Sequence, residues 1–219
     1  MESNKFLLAC FRDNVGSNVG FHCINGKGYS TNIDLAHVYT KDEAQKAWDT
    51  AREYDQPISL KHILESTVWK VDYQYIPQTS QISDDYMHYV AYEKGIDSSQ
   101  YDGNDVYWLD ARSGAVSTDF YKASKIKLED VQKYTEHFVL IPFETAFKQK
   151  RRTFQYSKFL LEKMVIDEGL VLPMHLQVKK KSGTGKTKWN CPKCGRIVWQ
   201  YNPYDFEGCK YDNCGKFIN

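Results

Sequence analysis

Apolar and polar positions alternate with period two over much of the first 140 residues. Phe6 to Phe11 is a continuous apolar run that reads as a buried strand, and Val19 to Ile24 reads as a second. Between them Asn14-Val-Gly-Ser-Asn18 is turn-forming, and Asn25-Gly-Lys-Gly28 is a hairpin-type turn. Tyr29 to Tyr39 continues as strand or extended chain. The period then changes. Thr40-Lys-Asp-Glu43 has the form of a capping box, and Ala44, Ala47, Trp48 and Ala51 recur at helical spacing, so a helix is expected to about Tyr54, where Gln56-Pro57 stops it. Thr67 to Ile76 alternates well enough for a further strand.

After a polar linker over residues 77–85 the scheme starts again. Tyr86 to Tyr92 and Val106 to Leu109 read as strands, separated by a long polar loop from Gly95 to Asn104. At a constant spacing of 87 residues, Val19 falls on Val106, Phe21 on Trp108, Ser30-Thr31 on Ser117-Thr118 and Gln45-Lys46 on Gln132-Lys133. The helix face Ala44, Ala47 and Ala51 falls on Val131, Tyr134 and Phe138, and Pro57 has a counterpart two residues out of step in Pro142. Lys127 stands where the first copy has its capping threonine, so the second helix leans on Glu129 and Asp130 at its positive end. An internal duplication is expected, with two tandem β-β-α-β modules over 1–78 and 86–145.

Beyond Pro142 the pattern changes. Tyr156, Phe159, Leu160, Met164 and Ile166 lie at helical spacing, Gly169 is a stop, and Leu170 to Val178 reads as a strand interrupted by Pro173. Residues 146–188 are thus expected to be a linking helix and a basic approach to the last segment, 189–219. The overall expectation is an α+β chain.

Charge sharpens this division. Residues 1–144 hold 14 Lys and Arg against 22 Asp and Glu, whereas residues 145–219 hold 15 against 6. An acidic part is joined to a basic one. Either the basic part meets a polyanion or the two parts attract each other. The basic residues fall in two clusters, Lys148, Lys150, Arg151 and Arg152, then Lys179, Lys180, Lys181, Lys186 and Lys188, with Arg196 beyond. Interleaved with Trp189, Trp199, Tyr201 and Tyr204, they suit DNA or RNA, cations on the phosphates and rings against bases.

The strongest motif closes the chain: Cys191-Pro-Lys-Cys194-Gly, fourteen residues from Cys194 to the next pair, then Cys209-Lys-Tyr-Asp-Asn-Cys214-Gly. Two tight cysteine pairs offer the four thiolates of a closed tetrahedral zinc site. Around Val198, Trp199 and Tyr201 these residues resemble the zinc-ribbon family over about 30 positions. That resemblance implies a structural Zn2+ that staples a small sheet and no chemistry at the metal. The second pair is wider than the family's usual Cys-x-x-Cys.

Other chemistry is sparse. Ser182 to Thr187 looks like a phosphate loop, but Lys180 stands where a Walker motif needs glycine, and no helix has room to follow. His175 lies far from the cysteine pairs. Cys10 and Cys23 read as buried free thiols. Asp119 with Lys122 is the nearest approach to a nuclease pair. No apolar run nears the roughly 18 residues of a membrane span, and the short apolar N-terminal run is too brief for a signal peptide, so the cytosol is the expected compartment. The reading that follows is a non-enzymatic zinc protein touching nucleic acid through its basic end. The alternative is an adaptor or inhibitor whose acidic modules dock on a protein, such as a nucleic-acid-processing or defence enzyme. The small modules and tyrosine-rich acidic sheets resemble those of phage or mobile-element proteins.

Overall fold

A computed structural model describes residues 5–94, 102–177, 185–211 and 214. The chain is mixed α/β, with many strands and few, short helices, and it divides into two compact units, Met1–Leu176 and Gln177–Asn219. Among the described residues no helix is long and apolar enough to cross a membrane.

The first unit holds two five-stranded sheets. In the first, β1 (Lys5–Val15) is central. Along one edge it pairs with β2 (Asn18–His22) and β4 (Val38–Thr40), and β3 (Tyr29–Ser30) extends β2. Along the other edge it pairs with β5 (Asp55–Ser59). The helix α1 (Lys41–Asp49) joins β4 to β5, α2 (Leu60–Glu65) follows, and β6 (Val68–Val71) comes next. The second sheet has the same order around β7 (His88–Glu93), with β8 (Trp108–Asp110), β9 (Ala115–Ser117), β10 (Ile126–Lys127) and β11 (Phe138–Pro142). Then α3 (Phe143–Lys148) and β12 (Lys150–Thr153) follow.

The registers correspond as well as the order. Ala9 faces Phe21 and Tyr92 faces Trp108; Leu7 faces Ile58 and Val90 faces Ile141. The two halves also exchange their last strands. β6 pairs antiparallel with β12, Val19 N donates to Phe154 O at 2.9 Å, and Val106 N donates to Val71 O at 3.1 Å. Tyr156 N donates to Ser17 O and Tyr73 N to Asn104 O, both at 2.8 Å. Gly16 (φ +58°) and Gly103 (φ +63°) meet where the halves cross. A Cβ on Gly103 would lie 2.7 Å from Gly16 N, and one on Gly16 would overlap Gly103 N, so both left-handed turns require glycine.

Several local elements differ from the sequence expectation. The capping box at Thr40 and Glu43 is present, but α1 stops at Asp49, short of Tyr54. Tyr29 to Tyr39 is broken by a 3-10 turn at Ile33–Leu35, because the Asn32 side chain accepts from Asp34 N. Asp72 does the same to Gln74 N and ends β6 at Val71, well before Ile76. The second helix is a 3-10 turn, Leu128–Lys133, and Lys127 before it provides no side-chain cap. The expected linking helix is two short pieces, a 3-10 turn at Tyr156–Lys158 and a π-helical turn at Glu162–Ile166. Met164, Val165 and Leu170 pack into the first sheet's core beside Trp48 and Phe154. No strand forms between Leu170 and Gln177.

Candidate metal centre and basic faces

The second unit is built on β13 (Thr187–Asn190) and β14 (Ile197–Gln200), with Lys188 opposite Trp199 and Trp189 opposite Val198. Between them the chain turns through Cys191 to Gly195. Gly195 (φ +70°) lets its amide donate to Cys191 O at 2.8 Å, and Cys191 N donates to Arg196 O at 2.9 Å. That closes the first knuckle and turns Cys191 and Cys194 to one side. Gln200, buried, fixes the other end: its Nε2 donates to Asn202 O at 2.9 Å and to Asp205 O, and its Oε1 accepts from Glu207 N at 2.9 Å. The chain so held delivers Cys209 and Cys214 to the first pair.

All four sulfurs lie within 4.8 Å of one another. Cys191 Sγ and Cys214 Sγ are 3.4 Å apart, and Cys194 Sγ and Cys209 Sγ are 3.7 Å apart. A disulfide needs about 2.05 Å, and all six cysteines are free. Tetrahedral ligands at about 2.3 Å from a zinc would sit about 3.8 Å from each other. The observed spacing is that of ligands around one ion. Cys191, Cys209 and Cys214 are buried and Cys194 is exposed, so the cluster is closed on most sides.

The thiols push each other's ionisation apart. Burial works against Cys191, but the amides of Cys194 and Lys193, with Cys214, bring it down to about 6. Burial and then the neighbouring Cys191 push Cys214 up to about 12. Four thiolates this close require a cation among them, and these four cysteines are positioned to bind one.

The outer face of the hairpin is aromatic and basic. Ile197, Trp199 and Tyr201 alternate with the inward Val198 and Gln200, and Trp199 and Tyr201 are 53% and 68% exposed. Lys186 lies 5.1 Å from the Tyr201 ring centre, and Arg196 lies 4.8 Å from that of Tyr211. Lys188 adds a cation opposite Trp199. Lys179, Lys180 and Lys181 lie outside the described residues.

The earlier basic cluster belongs to the first unit. Lys148 ends α3 and is exposed. Lys150, in β12, sits over three rings, 3.7 Å from the Phe147 centre, 4.3 Å from Trp69 and 5.4 Å from Tyr121. Arg152 pairs with Asp34, Nε to Oδ1 at 3.0 Å. Arg151 is buried. Its Nε donates to Thr31 Oγ1 at 3.2 Å and its Nη2 to Asp105 Oδ1 at 3.3 Å. Of the other sequence candidates, Asp119 is a cap for Tyr121 N at 3.0 Å, and His175 bonds Ala51 O at 3.1 Å.

Two polar groups carried no signal in the sequence. Lys70 is fully buried on β6, its Nζ 2.6 Å from Asp105 and 3.1 Å from Asp102. Asp105 also accepts from Asn18 Nδ2 at 2.6 Å, and Asp102 accepts from the amide and hydroxyl of Ser17. Elsewhere the buried Asp55 takes Arg52 Nε at 2.6 Å and lies 3.2 Å from His22 Nε2. Neither lysine nor aspartate inside an alternating strand marks itself as buried; only the crossing of the two halves makes it so.

Comparison with known proteins finds no matching family model, no matching curated protein and no matching solved structure.

Proposed function

We propose that Cys191, Cys194, Cys209 and Cys214 hold one structural Zn2+ in a zinc ribbon, and that this ribbon contacts single-stranded nucleic acid. The carrying observation is the hairpin's exposed Trp199 and Tyr201, with Lys188 opposite the first and Lys186 beside the second, and Arg196 over the ring of Tyr211. Bases stack on such rings whatever their identity, and phosphates follow the cations. Zinc would make the face rigid by fixing both ends of the hairpin, and supplies no reactive position because four thiolates close it. Lys179, Lys180 and Lys181, immediately before the ribbon in sequence, extend the same charge, and Lys148, Lys150, Arg151 and Arg152 are a second basic group in the first unit.

The test is fluorescence anisotropy with labelled single-stranded DNA and RNA at several salt concentrations. Affinity is expected to fall steeply with salt. Trp199→Ala is expected to cost about 1–3 kcal/mol, the worth of one stacked base. Absence of binding at low salt to both polymers would refute the proposal.

We also read the two sheets of the first unit as an internal duplication of a β-β-α-β module, over 1–78 and 86–145. The matched registers and the paired crossing bonds support it. β12 (Lys150–Thr153), just beyond residue 145, is the counterpart of β6 at the end of the first module.

A further inference from the structure

The exchanged strands β6 and β12 have two faces. Lys70, Arg151 and Thr153 are buried on one; Trp69, Lys150 and Arg152 alternate with them and are half-buried on the other. A 3-10 turn at Phe120–Lys122 and the helix α3 make that second face aromatic. Tyr121 meets Trp69 edge-on with ring centres 5.9 Å apart, Phe147 lies 5.4 Å from Phe143, and Phe143 stacks on the buried Phe120 at 5.8 Å. Cations stand between the rings. Lys150 Nζ is 4.3 Å from the Trp69 centre and 3.7 Å from that of Phe147, and Lys125 Nζ is 3.8 Å from that of Phe143. Tyr121 is 61% exposed and Phe147 38%, with Lys122, Lys125 and Lys148 exposed around them.

The corresponding positions of the first half are filled differently. The matched bonds Val19 N to Phe154 O and Val106 N to Val71 O set Arg152 against Trp69, and the 3-10 turns Ile33–Leu35 and Phe120–Lys122 set Asp34 against Tyr121. An ion pair, Arg152 with Asp34, thus stands in one half where two rings stand in the other. Along α2 and α3, Leu64 corresponds to Phe147 and Glu65 to Lys148. The fold therefore requires neither the rings nor the lysines.

Those lysines are also unspent. Residues 1–144 hold 22 Asp and Glu against 14 Lys and Arg. Even so, no carboxylate among the described residues lies at ion-pair distance from Lys122, Lys125, Lys148 or Lys150. Asp34 is taken up by Arg152, and Asp119 by Tyr121 N at 3.0 Å. Glu144, exposed on α3, is the one acid within the two flanking elements. Exposed rings interleaved with unpaired ammonium groups fit a polymer that offers flat bases and phosphates at short intervals. A duplex keeps its base faces stacked inside and would leave the rings unused.

We infer that this face of the first unit is a second binding surface for single-stranded nucleic acid. Bases stack on Tyr121 and Phe147, and phosphates meet Lys122, Lys125 and Lys148. Lys150, held among the rings, fixes their spacing, and the buried Arg151 takes no part. The surface is separate from the ribbon and does not rest on the reading given to it.

Ultraviolet crosslinking of the full chain to a bromouracil-substituted single strand of about 16 nucleotides tests this, with the crosslinked peptides mapped by mass spectrometry. Crosslinks are expected in the peptides that contain Tyr121 or Phe147. In anisotropy titrations Tyr121→Ala is expected to weaken binding about fivefold or more, the loss of one stacked base. Lys122→Glu/Lys125→Glu is expected to make the slope of log affinity against log salt shallower by about 1.4, two phosphate contacts at about 0.7 each. All three residues are exposed, so both variants are expected to keep the first unit's melting transition. Trp199→Ala is expected to leave the first-unit crosslinks in place. Crosslinks at the ribbon alone would overturn this inference and spare the ribbon; crosslinks at Tyr121 or Phe147 alone would do the reverse. Loss of affinity in the lysine variant with none in Tyr121→Ala would mark a bare polyanion patch, and equal affinity for a duplex of the same length would mean that the rings take no bases; either result overturns the inference.

Discussion

Replacing Lys70 by methionine removes a positive charge from the most buried ionic group in the first unit. Lys70 Nζ lies 2.6 Å from Asp105, and both side chains are fully buried. At an effective dielectric of about 20, that distance corresponds to about 6 kcal/mol of attraction. Desolvation of the two ions offsets most of it, so the intact pair contributes little net stability. Removing one partner is different. Asp105 keeps its burial and, among the described residues, its carboxylate retains Arg151 at 3.3 Å and Asn18 at 2.6 Å. The expected loss is about 3–5 kcal/mol at neutral pH, or a fall in melting temperature of roughly 6–20 °C for a unit of this size. The pH dependence carries the sign. Burial already holds the Asp105 carboxyl above its ordinary value, with Lys70 opposing. Without Lys70 it rises further. A carboxyl whose folded pKa lies above its unfolded value costs stability at high pH and ceases to cost it once protonated in both states. The deficit of Lys70→Met is therefore expected to shrink as pH falls from 7 towards 4. Urea unfolding followed by circular dichroism at several pH values measures it, and Lys70→Met/Asp105→Asn is expected to be less unstable than the two single variants added together. A loss below about 1 kcal/mol that is flat with pH, or strict additivity, would refute the assignment of Lys70 and Asp105 as a buried ion pair.

Three further expectations follow from the same structure. Gly16→Ala places a side chain at φ +58° against the backbone of Gly103, so it is expected to destabilise the first unit by at least about 1–3 kcal/mol in thermal unfolding; a neutral result would mean that the turns do not meet as described. Chelation, or Cys191→Ser, is expected to unfold the hairpin while leaving the first unit's melting transition in place, with one bound ion per chain lost by elemental analysis. Acid is expected to destabilise the first unit below about pH 4. Burial tends to raise Asp55 and Asp102, but Arg52 on the first and Ser17 with Lys70 on the second hold both below the ordinary carboxylate value. Their contribution is present above the unfolded pKa and is lost as pH falls through the folded one; a stability curve level between pH 5 and 2 would contradict it.

What could be read from the chain depended on how local each cause is. The capping box at Thr40 needs only four consecutive residues, and it formed as expected. The cysteine cluster needs two short knuckles, and its four sulfurs came together. In the second half, where Lys127 gives no side-chain cap, a 3-10 turn stands in place of the helix. Asn32 and Asp72 ended strands through side-chain bonds that the alternation of apolar residues does not record. The exchange of β6 and β12 was beyond reach. It depends on contacts between residues about 80 positions apart, and in the sequence Thr67 to Ile76 reads as a strand while Lys148 to Arg152 reads only as a basic run. Arg151 illustrates the consequence: in the sequence it is one of four neighbouring cations, and in the fold it is buried against Asp105 while Lys148, three residues before it, stays in solvent.

The two-sided crossing explains why charge was affordable there. A strand that leaves its own sheet to pair with the equivalent strand of the other half must bury residues from both at the crossing, and the pairing fixes which side chains face each other. Val68 with Asn18, and Thr153, fill one side with groups that need few partners. Lys70, Asp105 and Arg151 fill the other with groups that need many, and they find them in one another, in Asp102, Asp72 and Thr31, and in Asn18 from the uncharged side. Asn18 therefore couples the two sides: its amide donates to Asp105 and to Val15 O. Burial at such a crossing is expensive for any unmatched ion, and each ion there sits against opposite charge: Lys70 against Asp105 and Asp102, Arg151 against Asp105 and Asp72.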